Sequence, residues 1–139
     1  MRYLALDYGR KRIGLAISDP LGITAQPAGY FINQSPKIFQ EIEQLIQERE
    51  IDALVFGYPR RFNGTPGEMA KEVEKFAQKV SERVKKPIHF WDERLSTAES
   101  EQILIEADVR RSKRKEVRDA MAASLILQGF LQSKSGAGS

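Results

Sequence analysis

Four acidic residues stand where the chain is expected to leave a strand or enter a helix: Asp7, Asp92, Glu93 and Asp119. Asp7 follows the apolar run Tyr3-Leu4-Ala5-Leu6 and precedes a turn at Gly9. Asp92 and Glu93 follow Ile88-His89-Phe90-Trp91, and Asp119 falls near the expected start of a final helix, at its positive dipole end. Open α/β sheets take ligands at the carboxyl ends of their strands. Carboxylates gathered there form the hard-oxygen donor set that Mg²⁺ or Mn²⁺ prefers. Two such ions, roughly 3.5–4 Å apart, activate a water and stabilise the leaving oxygen in phosphodiester hydrolysis. Adjacent strand residues face opposite sides, so one of Asp92 and Glu93 points into a shared site, and the pattern does not choose between them. Each acid also has a plainer role: Asp7 as a turn former, Glu93 as a partner of Arg94, Asp119 as a helix-dipole residue.

Other chemistries find little support. There is no cysteine, which excludes a disulfide framework, a thiol nucleophile and a Cys-ligated zinc. The one histidine, His89, lies within an expected strand, where packing is its usual role, and histidine-based zinc sites need more ligands. Net charge is +3, but residues 110–118 alone carry +5, leaving −2 elsewhere. A compact basic block on a near-neutral body points to a polyanion contact. The block is expected to be a mobile link between two helices that orders on nucleic acid.

The elements that must position these residues follow from periodicity. Residues 3–6 and 13–17 read as buried strands joined by a short polar hairpin link, and residues 24–31 as a third strand placed near an edge by Pro27. Ser35-Pro36 opens a helix carrying Ile38, Ile42, Leu45 and Ile46. Residues 53–56 form a strand closed by Gly57-Tyr58-Pro59. Thr65-Pro66-Gly67-Glu68 reads as a capping box with Pro66 in the first helical position, ahead of Met69, Val73, Phe76, Ala77 and Val80. Residues 88–91 form the fifth strand. Ser96-Thr97-Ala98-Glu99 is a second capping box, and a last helix from about Val117 carries Ala122, Leu125, Ile126 and Phe130. The order β-β-β-α-β-α-β-α-α implies a mixed sheet with helices on its faces. One domain is expected over residues 1–132, with a disordered Gly/Ser tail at 133–139. The opening residues reach a charge too soon for a signal peptide, and no apolar run approaches the roughly 18 residues of a membrane span. A soluble cytoplasmic protein without membrane contact is therefore expected.

The stretch Asp7-Tyr8-Gly9-Arg10-Lys11-Arg12-Ile13-Gly14 resembles the D-x-G-x-x-R-I-G opening of the YqgF/RuvX family. Gly57-Tyr58-Pro59 with Asn63-Gly64-Thr65 and Gly67 is similar to its strand-to-helix loop, and Asp92-Glu93-Arg94-Leu95-Ser96-Thr97 to its D-E-R-L-S-T motif. Lys115, Asp119, Ala122, Ala123, Ile126 and Leu127 are similar to its C-terminal helix motif. Two positions depart from the pattern: Arg118 stands where the family has an aliphatic residue, and Arg61 where it has asparagine.

The resemblance implies an α/β ribonuclease-H-like fold with a five-stranded mixed sheet and helices on both faces. It implies a nuclease dependent on one or two Mg²⁺ or Mn²⁺ ions, assigned to 5′-end maturation of pre-16S rRNA and earlier described as a Holliday junction resolvase. It carries Asp7, Glu93 and Asp119 over as the catalytic, metal-binding carboxylates. The residues expected to contact nucleic acid are Arg10, Lys11, Arg12, Arg60, Arg61, Asn63, Arg94, Arg110, Arg111, Lys113, Arg114 and Lys115. The alternatives are a resolvase acting on four-way DNA, for which a two-fold dimer suits a symmetric cut, and a non-catalytic nucleic-acid-binding module on the same fold.

Overall fold

The computed structural model describes residues 1–58, 67–92 and 111–137, with side chains of the last segment described from 119 to 134. Five strands, β1 (Tyr3–Asp7), β2 (Arg12–Ser18), β3 (Ala25–Ile32), β4 (Ala53–Tyr58) and β5 (Ile88–Asp92), make one sheet in the order β3-β2-β1-β4-β5. The first three strands are antiparallel neighbours, while β4 pairs parallel to β1, and β5 parallel to β4. This is the mixed sheet of a ribonuclease-H-like fold. Pro27 lies on β3 at the edge of the sheet, where a missing N–H is tolerated.

Helices α1 (Ile38–Glu48) and α2 (Glu68–Arg83) cover one face. There Leu4, Leu6, Ile13, Leu15, Leu54 and Phe56 meet Ile38, Ile42 and Ile46 of α1 and Val73, Phe76 and Val80 of α2. Ser35 Oγ accepts from the Lys37 N–H at 3.2 Å, so Ser35-Pro36-Lys37 turns into α1 without itself being helical. α1 ends in a Schellman arrangement. Glu50 adopts φ 51°, its N–H donates to the Gln47 carbonyl, and the Ile51 N–H reaches back to the Ile46 carbonyl at 3.0 Å.

The opposite face belongs to α3 (Arg111–Ala137). Ala123, Ile126, Leu127, Phe130 and Leu131 pack on Tyr3, Ala5, Ala16, Ala53 and Val55. Each large side chain so buried contributes about 1.5–3 kcal/mol. No described helix is long and apolar enough to cross a membrane.

Several expectations need correction. α3 begins at Arg111, not near Val117, so most of the basic block is itself helical. Arg, Lys and Glu are strong helix formers, and a helix packed at one end extends cheaply. Asp119 consequently lies two turns inside α3, away from its dipole end. The same helix includes residues 133–137, placed by composition in a disordered tail. Its buried stripe is Ala120, Ala123, Ser124 and Leu127 with Ile126 and Phe130, while Ala122 and Leu125 are only partly buried. β4 runs two residues beyond Phe56. α2 starts at Glu68 with Gly67 as its N-cap, and buries Ala70 where Met69 was expected. Thr65 and Pro66, and the helix expected after Ser96, lie outside the described residues.

Candidate active site

The parallel strands β1, β4 and β5 end at one edge of the sheet, with Asp7, Tyr58 and Asp92 as their last residues. Tyr3 and Ala5 face α3, so alternation turns Asp7 to α3 as well. Directly across the antiparallel ladder from Asp7 is Gly14. A Cβ built on Gly14 would collide with the backbone carbonyl of Asp119 and stand 3.0 Å from its Cα. The missing side chain therefore lets α3 rest its backbone on β2 at the point where β2 meets Asp7. Opposed antiparallel residues have Cα atoms about 4.5–5.5 Å apart. One glycine thus brings Asp7 and Asp119, 112 residues apart in sequence, to one corner of the sheet.

Asp119 is held in turn. Arg12 Nε donates to Asp119 Oδ2 at 2.8 Å, with both side chains about a quarter exposed. The Arg12 guanidinium carbon lies 5.8 Å from the Tyr30 ring centroid. Arg12 was expected on nucleic acid, and the structure ties it to an expected metal ligand.

Asp92 takes the other face. Its ladder partner Tyr58 donates through Oη to Glu74 of α2 at 2.6 Å, and Phe90, two residues before it, packs on Phe56 and Tyr58. Asp7 and Asp92 therefore point to opposite sides of the sheet. Glu93 lies outside the described residues. Among the described residues no group of three His, Asp or Glu side chains is poised around a metal ion. Asp7 and Asp119 supply two hard carboxylates at the strand ends, a donor chemistry that fits Mg²⁺ or Mn²⁺.

The link between β1 and β2, residues 8–11, is fixed from β3. Asn33 donates through Nδ2 to the Gly9 carbonyl at 2.6 Å, and its N–H donates to the Lys11 carbonyl at 2.9 Å. Sequence reasoning passed over Asn33, whose signal is a side-chain amide just after a strand. Arg10 turns away from Asp119 and grips Glu72 of α2 at 2.7 Å. The shared hydrogen bond raises the Arg10 pKa and lowers that of Glu72. Lys11 is exposed at the same turn. Arg111, Lys113, Arg114 and Lys115 occupy the first turns of α3, whereas Arg60, Arg61, Asn63, Arg94 and Arg110 lie outside the described residues. His89 stands apart, level with Ala5 through Val55. It packs 5.0 Å from the Phe130 ring, and burial, aided by nearby Lys134, lowers its pKa.

The family described as RuvX, Holliday junction resolvase, matches residues 1–133. A protein of Desulfitobacterium hafniense named "Putative pre-16S rRNA nuclease" is 47% identical over 131 residues, covering 94% of this chain and 92% of its own. A protein of the same name from Bacillus cytotoxicus is 44% identical over 137 residues, covering 96% of this chain and 100% of its own. Among solved structures, T. thermophilus RuvC in complex with a Holliday junction substrate superposes with a TM-score of 0.59 at 16% identity, covering 98% of this chain and 96% of its own. The fowlpox virus Holliday junction resolvase gives 0.55 at 13% identity, covering 96% and 99%. At these identities the structural likeness speaks for the fold.

Proposed function

Because the chain belongs to the RuvX family and is a hydrolase of phosphodiester bonds, we propose that it is a divalent-metal-dependent nuclease maturing the 5′ end of pre-16S rRNA in the cytoplasm, with residues 1–132 as its nuclease domain. The observation that carries this reading is the close approach of the Asp119 backbone to Gly14, the ladder partner of Asp7, at the carboxyl end of β1. The name shared by the relatives in Desulfitobacterium hafniense and Bacillus cytotoxicus supports the choice of substrate.

Asp7, Glu93 and Asp119 would hold one or two Mg²⁺ or Mn²⁺ ions. Glu93 enters through the resemblance of Asp92-Glu93-Arg94-Leu95-Ser96-Thr97 to the family motif, and Asp92 beside it faces away from Asp7. Bound there, the metal supplies Lewis-acid stabilisation of charge on the phosphate and lowers the pKa of water. The chain's own residues orient the substrate. Lys11, Arg60, Arg61, Asn63, Arg94 and the basic residues of 110–115 would offer donors to phosphate oxygens. Such contacts set affinity and salt dependence and leave sequence choice to other features.

The test is cleavage of a pre-16S rRNA 5′ fragment beside a four-way DNA junction, with Mg²⁺, with Mn²⁺ and with EDTA. Metal-dependent cleavage of the RNA is expected, and Asp7→Asn should abolish it while leaving the fold intact. The exchange removes one of two neighbouring like charges, so the variant's metal-free stability should match or exceed the wild type's. Cleavage of the junction alone would move the substrate to branched DNA, as the family description has it. Full activity in Asp7→Asn or in EDTA would defeat the metal reading.

A further inference from the structure

Arg12 is the first residue of β2 and lies on the α3 face, two positions before Gly14. Its Nε–H···Oδ2 contact with Asp119 spans 107 residues of sequence, so it depends on the docking of α3 and not on local structure. The two side chains are 28% and 26% exposed, so water reaches the pair and neither partner is sealed in. Arg10, two residues earlier, is committed to Glu72 on α2. The carboxylate held by Arg12 is one that the proposed function assigns to a divalent cation, and the inference rests on that reading.

We infer that Arg12 is an exchangeable counterion. It neutralises Asp119 while the site holds no divalent cation, then yields that carboxylate and turns to a phosphate of the nucleic acid. Two carboxylates at one corner repel each other, and a single positive charge beside them relieves the repulsion. A guanidinium and a divalent cation around the same carboxylate repel in turn, so Arg12 opposes metal entry as long as it stays. Its planar fork of donors matches a phosphate as well as a carboxylate, so the freed group has an acceptor once nucleic acid arrives. Nucleic acid that captures Arg12 removes the competitor for Asp119. Metal and nucleic acid should therefore tighten each other's binding by the same factor.

The experiment titrates Mn²⁺ into the full chain by calorimetry, for the wild type and for Arg12→Gln, Arg12→Lys and Arg83→Ala. Arg12→Gln removes the charge but keeps an amide able to donate to Asp119, so it retains the tie to α3 that Arg12→Ala would lose. Arg83→Ala removes an equal charge from a remote pair with Glu43. Arg12→Gln should bind Mn²⁺ about tenfold more tightly, within the usual range of site-to-site coupling. Arg12→Lys should stay within about threefold of the wild type, and Arg83→Ala should be unchanged. In parallel, fluorescence anisotropy follows the RNA fragment with Ca²⁺ and with EDTA. The wild type should gain several-fold in RNA affinity with Ca²⁺, and Arg12→Gln should lose most of that gain. Unchanged or weaker Mn²⁺ binding in Arg12→Gln overturns the exchange and leaves the nuclease reading in place. A wild type that binds no Mn²⁺ overturns the metal reading itself, on which this inference rests.

Discussion

Replacing Gly14 with alanine tests the geometry on which the site depends. The new Cβ would overlap the Asp119 carbonyl and stand 3.0 Å from its Cα, against a backbone that cannot rotate aside. Carbon–carbon contacts settle at about 3.5–4.0 Å, so α3 must retreat by about 1 Å. A gap of that size forfeits roughly a quarter to a half of each contact's attraction. Ile126, Leu127, Phe130 and Leu131 bury themselves through this helix. At about 1.5–3 kcal/mol each, the four hold roughly 6–12 kcal/mol. A partial loss, reduced by tilting of α3, comes to about 2–4 kcal/mol, in keeping with the usual cost of overpacking. Unfolding entropy near roughly 2.1 cal/mol/K per residue makes about 0.3 kcal/mol per degree for 139 residues, so the midpoint should fall by about 10 °C. Thermal unfolding followed by circular dichroism reads this. Mn²⁺ affinity, measured where the variant is still folded, should also weaken, because Asp119 withdraws with the helix. Gly129→Ala is the control. Its Cβ meets the Trp91 indole, 2.9 Å away at the nearest atom, about 15 Å further along the helix. Helix propensity returns about 1 kcal/mol there. A Gly14→Ala protein that melts within about 2 °C of the wild type and binds Mn²⁺ normally would refute the close approach of α3 and the corner built on it.

His89 predicts a pH dependence. Its pKa is lowered from 6.5, so between that value and its folded pKa the unfolded chain binds more protons than the folded one. Stability should fall as pH drops through about 6.5, and urea denaturation at pH 5.5 and 7.5 should show a smaller difference in His89→Gln than in the wild type. Glu50 offers a gain: its φ of 51° is one that glycine adopts without strain. Glu50→Gly should raise stability by about 0.5–1 kcal/mol in the same assay, and a loss would mean that the Glu50 side chain supports the end of α1.

Which parts of the chain announced themselves has a physical explanation. β1, β2 and β4 are buried on both faces, so they read as unbroken apolar runs, and α1 carries its core residues at a clean four-residue spacing. α3 was harder at both levels. Its first turns hold no apolar residue to mark a buried face, so a helix-forming run of Arg, Lys and Glu passed for a solvated link. Its buried stripe was misphased because Leu125 outranks Ala120 and Ser124 in hydropathy. The helix instead turns its small residues to the sheet, where Gly14 and Ala16 admit them. The face that Asp92 takes depends on how β5 packs, which the Phe90 contacts supply and the sequence alone does not. The Arg12–Asp119 pair joins the two ends of the chain, and no local pattern encodes such a contact.

The two faces of the sheet follow different packing rules, and that difference bears on function. Toward α1 and α2 the sheet presents Leu4, Leu6, Ile13, Leu15, Leu54 and Phe56, whose bulk keeps helix backbones at a distance. Toward α3 it presents Ala5, Ala16 and Ala53 between Tyr3 and Val55, with Gly14 beyond them near the strand ends. Small residues let a helix backbone approach closely, and a close backbone leaves short side chains such as aspartate enough reach to meet across the interface. On the bulkier face an aspartate would need a longer arm to join a carboxylate on β1. The alanines contribute less burial than leucines would, which costs stability on that side. In return they fix where α3 lies to within the tolerance of a backbone contact. A carboxylate carried two turns inside such a helix is placed by packing along its length and not by a loop, and that is the steadiness the proposed metal-binding role of Asp119 requires.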